Sequence, residues 1–277
     1  KGKEKKSELA LNLTVLLGSI VVALLLGEIG ARLYLPAPLP WLYPQLRFRP
    51  DSDLIFALQP GQRSFSANVP VDINQNGLRG PLAPYEKEPG EIRLLFLGDS
   101  IVFGYGVPER DMVSSVLRES MTSRYPKTQV INAGVPSYNT EQEVGFLRKE
   151  GFRYSADWII LGFCWNDLSN KSGVAVNQKG MLVSKGAPMP GGFQRLMESP
   201  TGYTLRNVFK QSRLFYALSI GLGALGSGNA TALSTGLRSE MLDGKSTPRV
   251  QEGWSRVEQS LASLVLFSRE TGSRVIV

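Results

Sequence analysis

The chain has 277 residues, of which 42% are hydrophobic and 20% charged, a composition typical of a globular protein and not of a disordered one. It contains no histidine and a single cysteine, Cys164, which excludes an internal disulfide and zinc sites built from cysteine or histidine. No metal or cofactor is therefore expected. The net charge of +7 is spread along the chain without an aromatic-basic module, so we expect no nucleic-acid partner.

The first predicted element is a membrane-spanning helix. Leu9 to Gly27 is an uncharged, mostly apolar stretch, long enough to cross a bilayer core of about 30 Å. Four lysines among the first six residues predict a cytoplasmic N-terminus and an exported remainder. A cleaved signal peptide is the alternative, but the stretch is longer than a usual signal core and lacks an Ala-x-Ala site. We expect residues 1–35 to form a basic tail and a single-pass anchor in the inner membrane, in contact with the lipid bilayer.

Two segments follow the anchor. Residues 36–53 are rich in proline, which favours an extended linker. Residues 54–80 alternate in polarity and contain Asn76-Gly77, a pattern typical of short β-strands joined by a tight turn. Glu28 and Arg32, four residues apart, are expected to pair on a helix that continues beyond the membrane. The linker leads into a domain of residues 54–277, expected to be periplasmic or extracellular.

From Ile92 onward, strands and helices alternate. This order predicts an α/β fold with a parallel sheet covered by helices on both faces. The helix after the second strand is expected to start with a capping box of Thr140 and Glu143 and to end at Gly151. The predicted elements are strands at Ile92–Leu97, Gln129–Asn132, Trp158–Phe163 and Arg274–Val277, and helices at 111–124, 140–151 and 254–272.

An insertion rich in Gly, Ser and Pro is expected at about residues 168–250. Within it, Arg206 to Leu225 predicts one apolar helix, which either packs on the domain or faces a membrane or a partner protein. The stretch Gly221–Gly228 is predicted to be soft, and Asn229-Ala-Thr231 matches a glycosylation sequon.

Chemistry-bearing residues follow three of the predicted strands. Gly98-Asp99-Ser100 comes after the first strand, Asn132–Ser137 ends the second, and Cys164–Asp167 follows the third. Because parallel strands end at one edge of a sheet, these loops are expected to meet there. Ser100 is a candidate nucleophile, and its own N–H, an N–H of the second loop and the Asn166 amide are candidate oxyanion donors. A serine hydroxyl needs an adjacent base, and the chain has no histidine.

From about Asp72 onward, these motifs resemble the SGNH, or GDSL-type, hydrolases, and Val71–Gly80 resembles the lead-in of their membrane-anchored bacterial members. The resemblance implies a flavodoxin-like three-layer sandwich with Ser100 as nucleophile and Asn166 as oxyanion donor. The family's oxyanion glycine falls at Ser137, a departure that leaves a backbone N–H in place and lets Gly134 share the role. Cys164 stands where the family usually has glycine and is expected to be a small buried residue and not a reactive thiol.

The family's Asp-x-x-His follows the last strand, which here ends at Val277. Either the base lies beyond Val277, or the protein lacks it and the fold serves as a scaffold. The first reading implies a periplasmic hydrolase of carboxylic esters, for example O-acetyl groups of envelope glycans. The second implies an inactive subunit that stabilises a larger membrane complex (respiratory, photosynthetic or envelope-building). The expected partners are an ester substrate in the first case and membrane proteins in the second, and hydrolase and acyltransferase chemistry stay open.

Overall fold

The computed structural model describes residues 2–37, 42–186, 192, 196, 199–218 and 239–277. The chain divides into two compact units. The helical unit comprises Lys1–Pro40 and Gly191–Gly228, and the sheet unit comprises Trp41–Pro190 and Asn229–Val277. The predicted insertion at 168–250 is therefore shared between the units. The Gly221–Gly228 stretch and the Asn229 sequon lie outside the described residues.

The helical unit begins with α1, Gly2–Tyr34. Residues Leu11–Tyr34 are long and apolar enough to cross a membrane, and none of this segment is buried inside the protein. The coarse prediction of one apolar N-terminal helix is confirmed, and such a helix suits a membrane anchor or a signal sequence. The predicted Glu28–Arg32 pair is present, with Arg32 Nε donating to Glu28 Oε1 at 2.8 Å.

The prediction of one apolar helix from Arg206 to Leu225 is wrong, because the helix is interrupted at Ser212. It forms as α5, Pro200–Gln211, followed after Ser212 by a second helical segment over residues 213–218. Ser212 Oγ accepts the N–H of Phe215 at 3.0 Å and so caps the second segment. Local hydrogen bonding by a serine side chain thus interrupts a run that is continuous in its apolar residues, whereas Leu222 lies outside the described residues.

The sheet unit contains a four-stranded parallel sheet in the order β10-β7-β5-β6. The strands are β5 Ile92–Gly98, β6 Thr128–Gly134, β7 Trp158–Gly162 and β10 Arg274–Ile276. All three pairings are parallel, so the carboxyl ends of the four strands lie along one edge. The predicted strand order along the chain and the parallel sheet are confirmed.

Helices cover both faces of this sheet because β5 is apolar on both sides. On one face, Leu95 and Leu97 belong to the large core with residues of α4 and α6. On the other face, Leu94 and Phe96 pack with Leu117 and Met121 of α3. The helices are α2 Ser100–Phe103, α3 Val113–Arg124, α4 Thr140–Lys149 and α6 Pro248–Thr271.

The start of α4 corrects the predicted capping box. The N-cap is Asn139, whose side chain accepts the N–H of Gln142 while Gln142 reaches back to the Asn139 N–H. Thr140 and Glu143 lie one position later and are buried. Both pairs fit the capping-box pattern, and the tertiary structure selects the register that puts Gln142 Nε2 on the Leu54 carbonyl at 2.6 Å. The helix ends at Lys149, and Gly272 terminates α6 as predicted.

The described part of the sheet unit also contains three short hairpins. They pair β1 Phe48–Asp51 with β2 Ile55–Leu58, β3 Arg63–Ser66 with β4 Val69–Asp72, and β8 Val174–Val176 with β9 Leu182–Ser184. The predicted linker of residues 36–53 therefore includes β1. The predicted turn forms at Asn76-Gly77, where Gly77 has φ +76° and Asn74 Oδ1 accepts the N–H groups of Asn76 and Leu78.

Candidate active site

A row of three glycines crosses the carboxyl edge of the sheet. Gly98 of β5 lies opposite Gly134 of β6 on one side and Gly162 of β7 on the other. A Cβ atom added at any of them would come within 2.4 Å of an atom of residues 102–103. The row therefore lets α2 lie directly on the strand ends, which brings the helix that begins with Ser100 against the sheet. Sequence reasoning missed this role, although each glycine stands at the end of its strand.

Asp99 and Ser100 form the start of α2. The Asp99 side chain is buried and accepts the N–H of Ile101 at 2.8 Å, capping the helix. Ser100 is the first helical residue and is half-buried, so it lies at the protein surface on the carboxyl edge. A four-residue helix is not stable by itself, and its position depends on contacts from the rest of the fold.

Arg79 provides one of those contacts. Its buried guanidinium donates to the carbonyls of Phe103 (3.0 Å), Gly104 (2.6 Å) and Val107 (2.6 Å), and it lies 5.0 Å above the Phe103 ring. The carbonyls at the end of a helix lack intrahelical partners, and a guanidinium satisfies several of them at once. Arg79 thus holds the end of α2 opposite Ser100. It lies in the Val71–Gly80 segment, where sequence reasoning predicted strands and a turn but gave Arg79 no role.

Asn166 joins the third loop to the first. It belongs to a 3-10 turn, Trp165–Leu168, and its Nδ2 donates to Asp99 Oδ2 at 2.7 Å. Asn139 Nδ2 donates to the Ser169 carbonyl at 2.9 Å and so joins the second loop to the third. The structure therefore brings the loops of Ser100 and Asn166 together, as the parallel sheet predicts.

The two candidate oxyanion donors of the second loop, Ser137 and Gly134, lie in different environments. Ser137 is exposed and has φ +75°, a left-handed conformation that favours glycine, the residue that the resemblance implies there. The Gly134 N–H instead donates to Asn132 Oδ1 at 3.0 Å, and Asn132 Nδ2 donates to the Val102 carbonyl at 2.9 Å. Gly134 therefore allows close packing of α2, and the oxyanion role of both residues stays a prediction.

Behind the loops lies a group of ionisable side chains, which we call the acidic cluster: the buried Asp99, Glu143 and Asp167, and the half-buried Lys171. Glu143 is 1% exposed, and neither of its carboxylate oxygens has a hydrogen-bond partner in the described structure. Burial, reinforced by the charges of Asp167 and Asp99, holds the pKa of Glu143 well above its usual value. Burial likewise raises the pKa of Asp167 to about 7 and lowers that of Lys171. Sequence reasoning had given Glu143 only a capping role.

Two further residues bear on the chemistry of this edge. Burial raises the pKa of the half-buried Cys164 thiol, as suits an unreactive side chain. In the part of the chain that the structure describes, no side chain hydrogen-bonds the Ser100 hydroxyl. The last strand, β10, runs parallel to β7 with Ile276 opposite Ile160, so its carboxyl end points to the edge that carries Ser100.

A comparison with protein-family models finds no matching family, and a search of curated proteins finds no significant match.

Proposed function

We propose that the protein is a membrane-anchored, SGNH-like hydrolase of carboxylic esters, with Ser100 as its nucleophile. The observation that carries the proposal is the position of Ser100 at the start of α2, directly after the central strand β5. The chain passes from β5 to β6 on one side and then to β7 on the other, so strand order reverses beside β5. Open α/β sheets bind their ligands at the carboxyl ends of such strands.

The neighbouring donors suit acyl transfer. The oxyanion donors would be the Ser100 N–H and the second hydrogen of the Asn166 amide, whose Nδ2 already donates to Asp99. In the proposed reaction, Ser100 Oγ bonds to the ester carbonyl carbon, and the alcohol leaves with a proton. Water then releases the acid and restores the serine. The SGNH family and the three-layer flavodoxin-like fold are part of this proposal.

The proposed general base would enter from residues that follow β10. The carboxyl end of β10 lies at the same edge of the sheet as Ser100, so a base that follows β10 would also lie at that edge. The remaining parts of the proposal concern location. Leu9–Gly27 would anchor the chain in the inner membrane with a cytoplasmic N-terminus, and the sheet unit would be periplasmic or extracellular. An O-acetyl group of an envelope glycan is the substrate class that this location favours.

The test is hydrolysis of p-nitrophenyl acetate by the purified full chain in detergent. We expect Ser100→Ala to reduce turnover at least 10³-fold, because the covalent step needs the hydroxyl. The matched control is Ser120→Ala, which removes an exposed hydroxyl on α3 and should leave the rate unchanged. Equal rates for the wild type and Ser100→Ala would contradict the hydrolase proposal.

A second candidate function is an inactive subunit that stabilises a larger membrane complex. It is favoured by the observation that no described side chain hydrogen-bonds the Ser100 hydroxyl. On this proposal, Ser100→Ala leaves both ester turnover and the size of the detergent-extracted complex unchanged. Labelling of Ser100 by a fluorophosphonate would contradict it, since that reagent reports an activated serine.

A further inference from the structure

In the helical unit, a carboxylate of α1 caps the helical segment of residues 213–218. Glu28 Oε2 accepts the Ser212 hydroxyl at 2.7 Å and the Leu214 N–H at 3.1 Å. Glu28 Oε1 accepts the Arg213 N–H at 3.2 Å. The first N–H groups of a helix have no intrahelical partners, and leaving them unpaired away from water is costly. Glu28 satisfies two of them, an arrangement that suits a helix start in an apolar environment.

Two arginines and a glycine complete the same contact. Arg32 Nη2 donates to the Gln211 carbonyl at 3.3 Å, and Arg213 Nη1 donates to the Arg32 carbonyl at 2.8 Å. Gly27 leaves room for Leu214, whose Cδ2 lies 2.9 Å from where a Cβ of residue 27 would stand. Residues 211–214 are therefore docked on α1 by both polar and apolar contacts.

Beside this contact, α1 and residues 209–218 form the walls of an open groove with a volume of about 540 Å³. Its polar residues, which include Glu28 and Arg32, come from the region of the docking contact. Phe209 and Phe215 stack with ring centroids 4.8 Å apart. The other walls are apolar: the half-buried Leu214 and four exposed residues, Val21, Leu24, Leu25 and Leu218. An exposed apolar surface of this kind marks an interaction site.

The position of the groove along α1 determines how deep it would lie in a bilayer. Its walls on α1, Val21 to Leu25, lie within the Leu9–Gly27 stretch, and Val21 is about 10 Å along the helix axis from Glu28. If Leu9–Gly27 crosses the bilayer, the groove lies at the depth of the lipid tails, and Arg32 lies near the headgroups. This step rests on the anchor in the proposed function.

The groove walls favour a lipid over another protein helix. Interfaces between membrane helices are enriched in small residues that let two backbones approach closely. Here the small residues Gly27 and Ser212 already contact Leu214 and Glu28, and the apolar walls of the open groove are large side chains. A volume of several hundred Å³ with an apolar lining and charges at one end is typical of a site for an amphipathic ligand.

We propose that this groove binds an acyl chain of a membrane phospholipid, so that residues 209–218 form a second membrane-embedded element beside the anchor. The phosphate of that lipid lies toward Arg32 and Arg213, whose two positive charges exceed the single negative charge of Glu28 and so favour an anionic headgroup.

The test uses nitroxide labels on the full chain, one copy per phospholipid nanodisc, in a Cys164→Ser background. Labels are placed at Phe215→Cys in the groove, at Leu24→Cys on α1 and at Ser120→Cys on the exposed side of α3. Collision rates are measured with oxygen, which concentrates among lipid tails, and with a nickel chelate, which stays in water. We expect the labels at 215 and 24 to collide often with oxygen and rarely with nickel, and the label at 120 to show the reverse. Leu218→Cys provides a second groove position.

Each other outcome contradicts a defined part of the proposal. If the label at 24 reports lipid but those at 215 and 218 collide freely with nickel, the groove is in water and the inference is wrong. If the groove labels are shielded from both reagents, protein covers the groove instead of lipid, which also overturns it. If the label at 24 itself collides freely with nickel, the anchor in the proposed function fails.

Discussion

The two edges of the parallel sheet differ in how their buried ionisable side chains are hydrogen-bonded. At the amino edge, Arg93 is fully buried, and Glu91 accepts from both its Nε and its Nη2. Its remaining donors go to the carbonyls of Tyr85, Glu86 and Tyr154. At the carboxyl edge, Glu143 is equally buried but has two carboxylate oxygens without hydrogen-bond partners in the described structure. The charged pair at the amino edge has its hydrogen bonds, whereas the Glu143 carboxyl at the carboxyl edge has none in the described structure.

We infer from this difference that the amino edge contributes to stability and the carboxyl edge to function. Buried polar groups are normally paired, and unpaired ones with shifted pKa values cluster at functional sites. The acidic cluster shares Asp99 with the cap of α2 and with Asn166. Hydrogen bonds thus link Asp99 to the residues proposed for catalysis, and Glu143 interacts with Asp99 and Asp167 through their charges.

The strongest test of the comparison is at the amino edge. Arg93→Ala removes both side-chain donors to Glu91 and the donors to three carbonyls. The buried carboxylate keeps the Glu88 N–H but loses its ion pair, and we expect a loss of about 3–5 kcal/mol of unfolding free energy. Urea unfolding of the full chain, followed by tryptophan fluorescence, measures this change, because all four tryptophans belong to the sheet unit. Arg63→Ala, which breaks an exposed ion pair with Asp72, is the control and should change stability by less than about 0.5 kcal/mol. Similar losses for both variants would refute the special status of Arg93.

A smaller effect is expected from the glycine row at the carboxyl edge. Gly134→Ala places a methyl group 2.4 Å from the backbone nitrogen of Phe103, which must move α2 and should cost about 1–3 kcal/mol. Because α2 carries Ser100, ester turnover should fall together with stability. Gly173→Ala is the matched control, since a Cβ there meets nothing within 4 Å. Unchanged turnover in Gly134→Ala would show that the position of α2 does not control the serine.

The smallest effect concerns the acidic cluster, and its sign is opposite. The raised pKa values mean that the folded protein holds protons which the unfolded chain releases, so wild-type stability should fall as pH rises from about 4 through 7. Glu143→Gln removes one buried charge and should stabilise the protein at pH 8 by about 1–2 kcal/mol, with a flatter pH profile. Urea unfolding between pH 5 and pH 8 measures both effects.

The control for that variant is Glu141→Gln, which changes an exposed residue on the same helix and should leave the profile unaltered. Destabilisation by Glu143→Gln at pH 8 would mean that the Glu143 charge is satisfied, and the contrast between the two edges would disappear.

Sequence patterns predicted the elements whose signal is local. The buried runs of β5 and β7, the turn at Asn76-Gly77 and the end of α6 at Gly272 are each encoded by a few adjacent residues. The order of these elements also predicted a parallel sheet with Ser100 and Asn166 at one edge. These predictions succeeded because apolar periodicity and turn residues act over short distances along the chain.

The tertiary structure decided what depends on distant partners. The N-cap of α4 is Asn139 and not Thr140, because Gln142 bonds to the Leu54 carbonyl. The helix predicted after Arg206 is interrupted at Ser212, which contacts Glu28 of α1. The roles of Arg79, of the glycine row and of Glu143 also emerge only when separate segments meet. A side chain's burial, its hydrogen-bond partners and its pKa are set by neighbours in space, and the sequence by itself lists only neighbours along the chain.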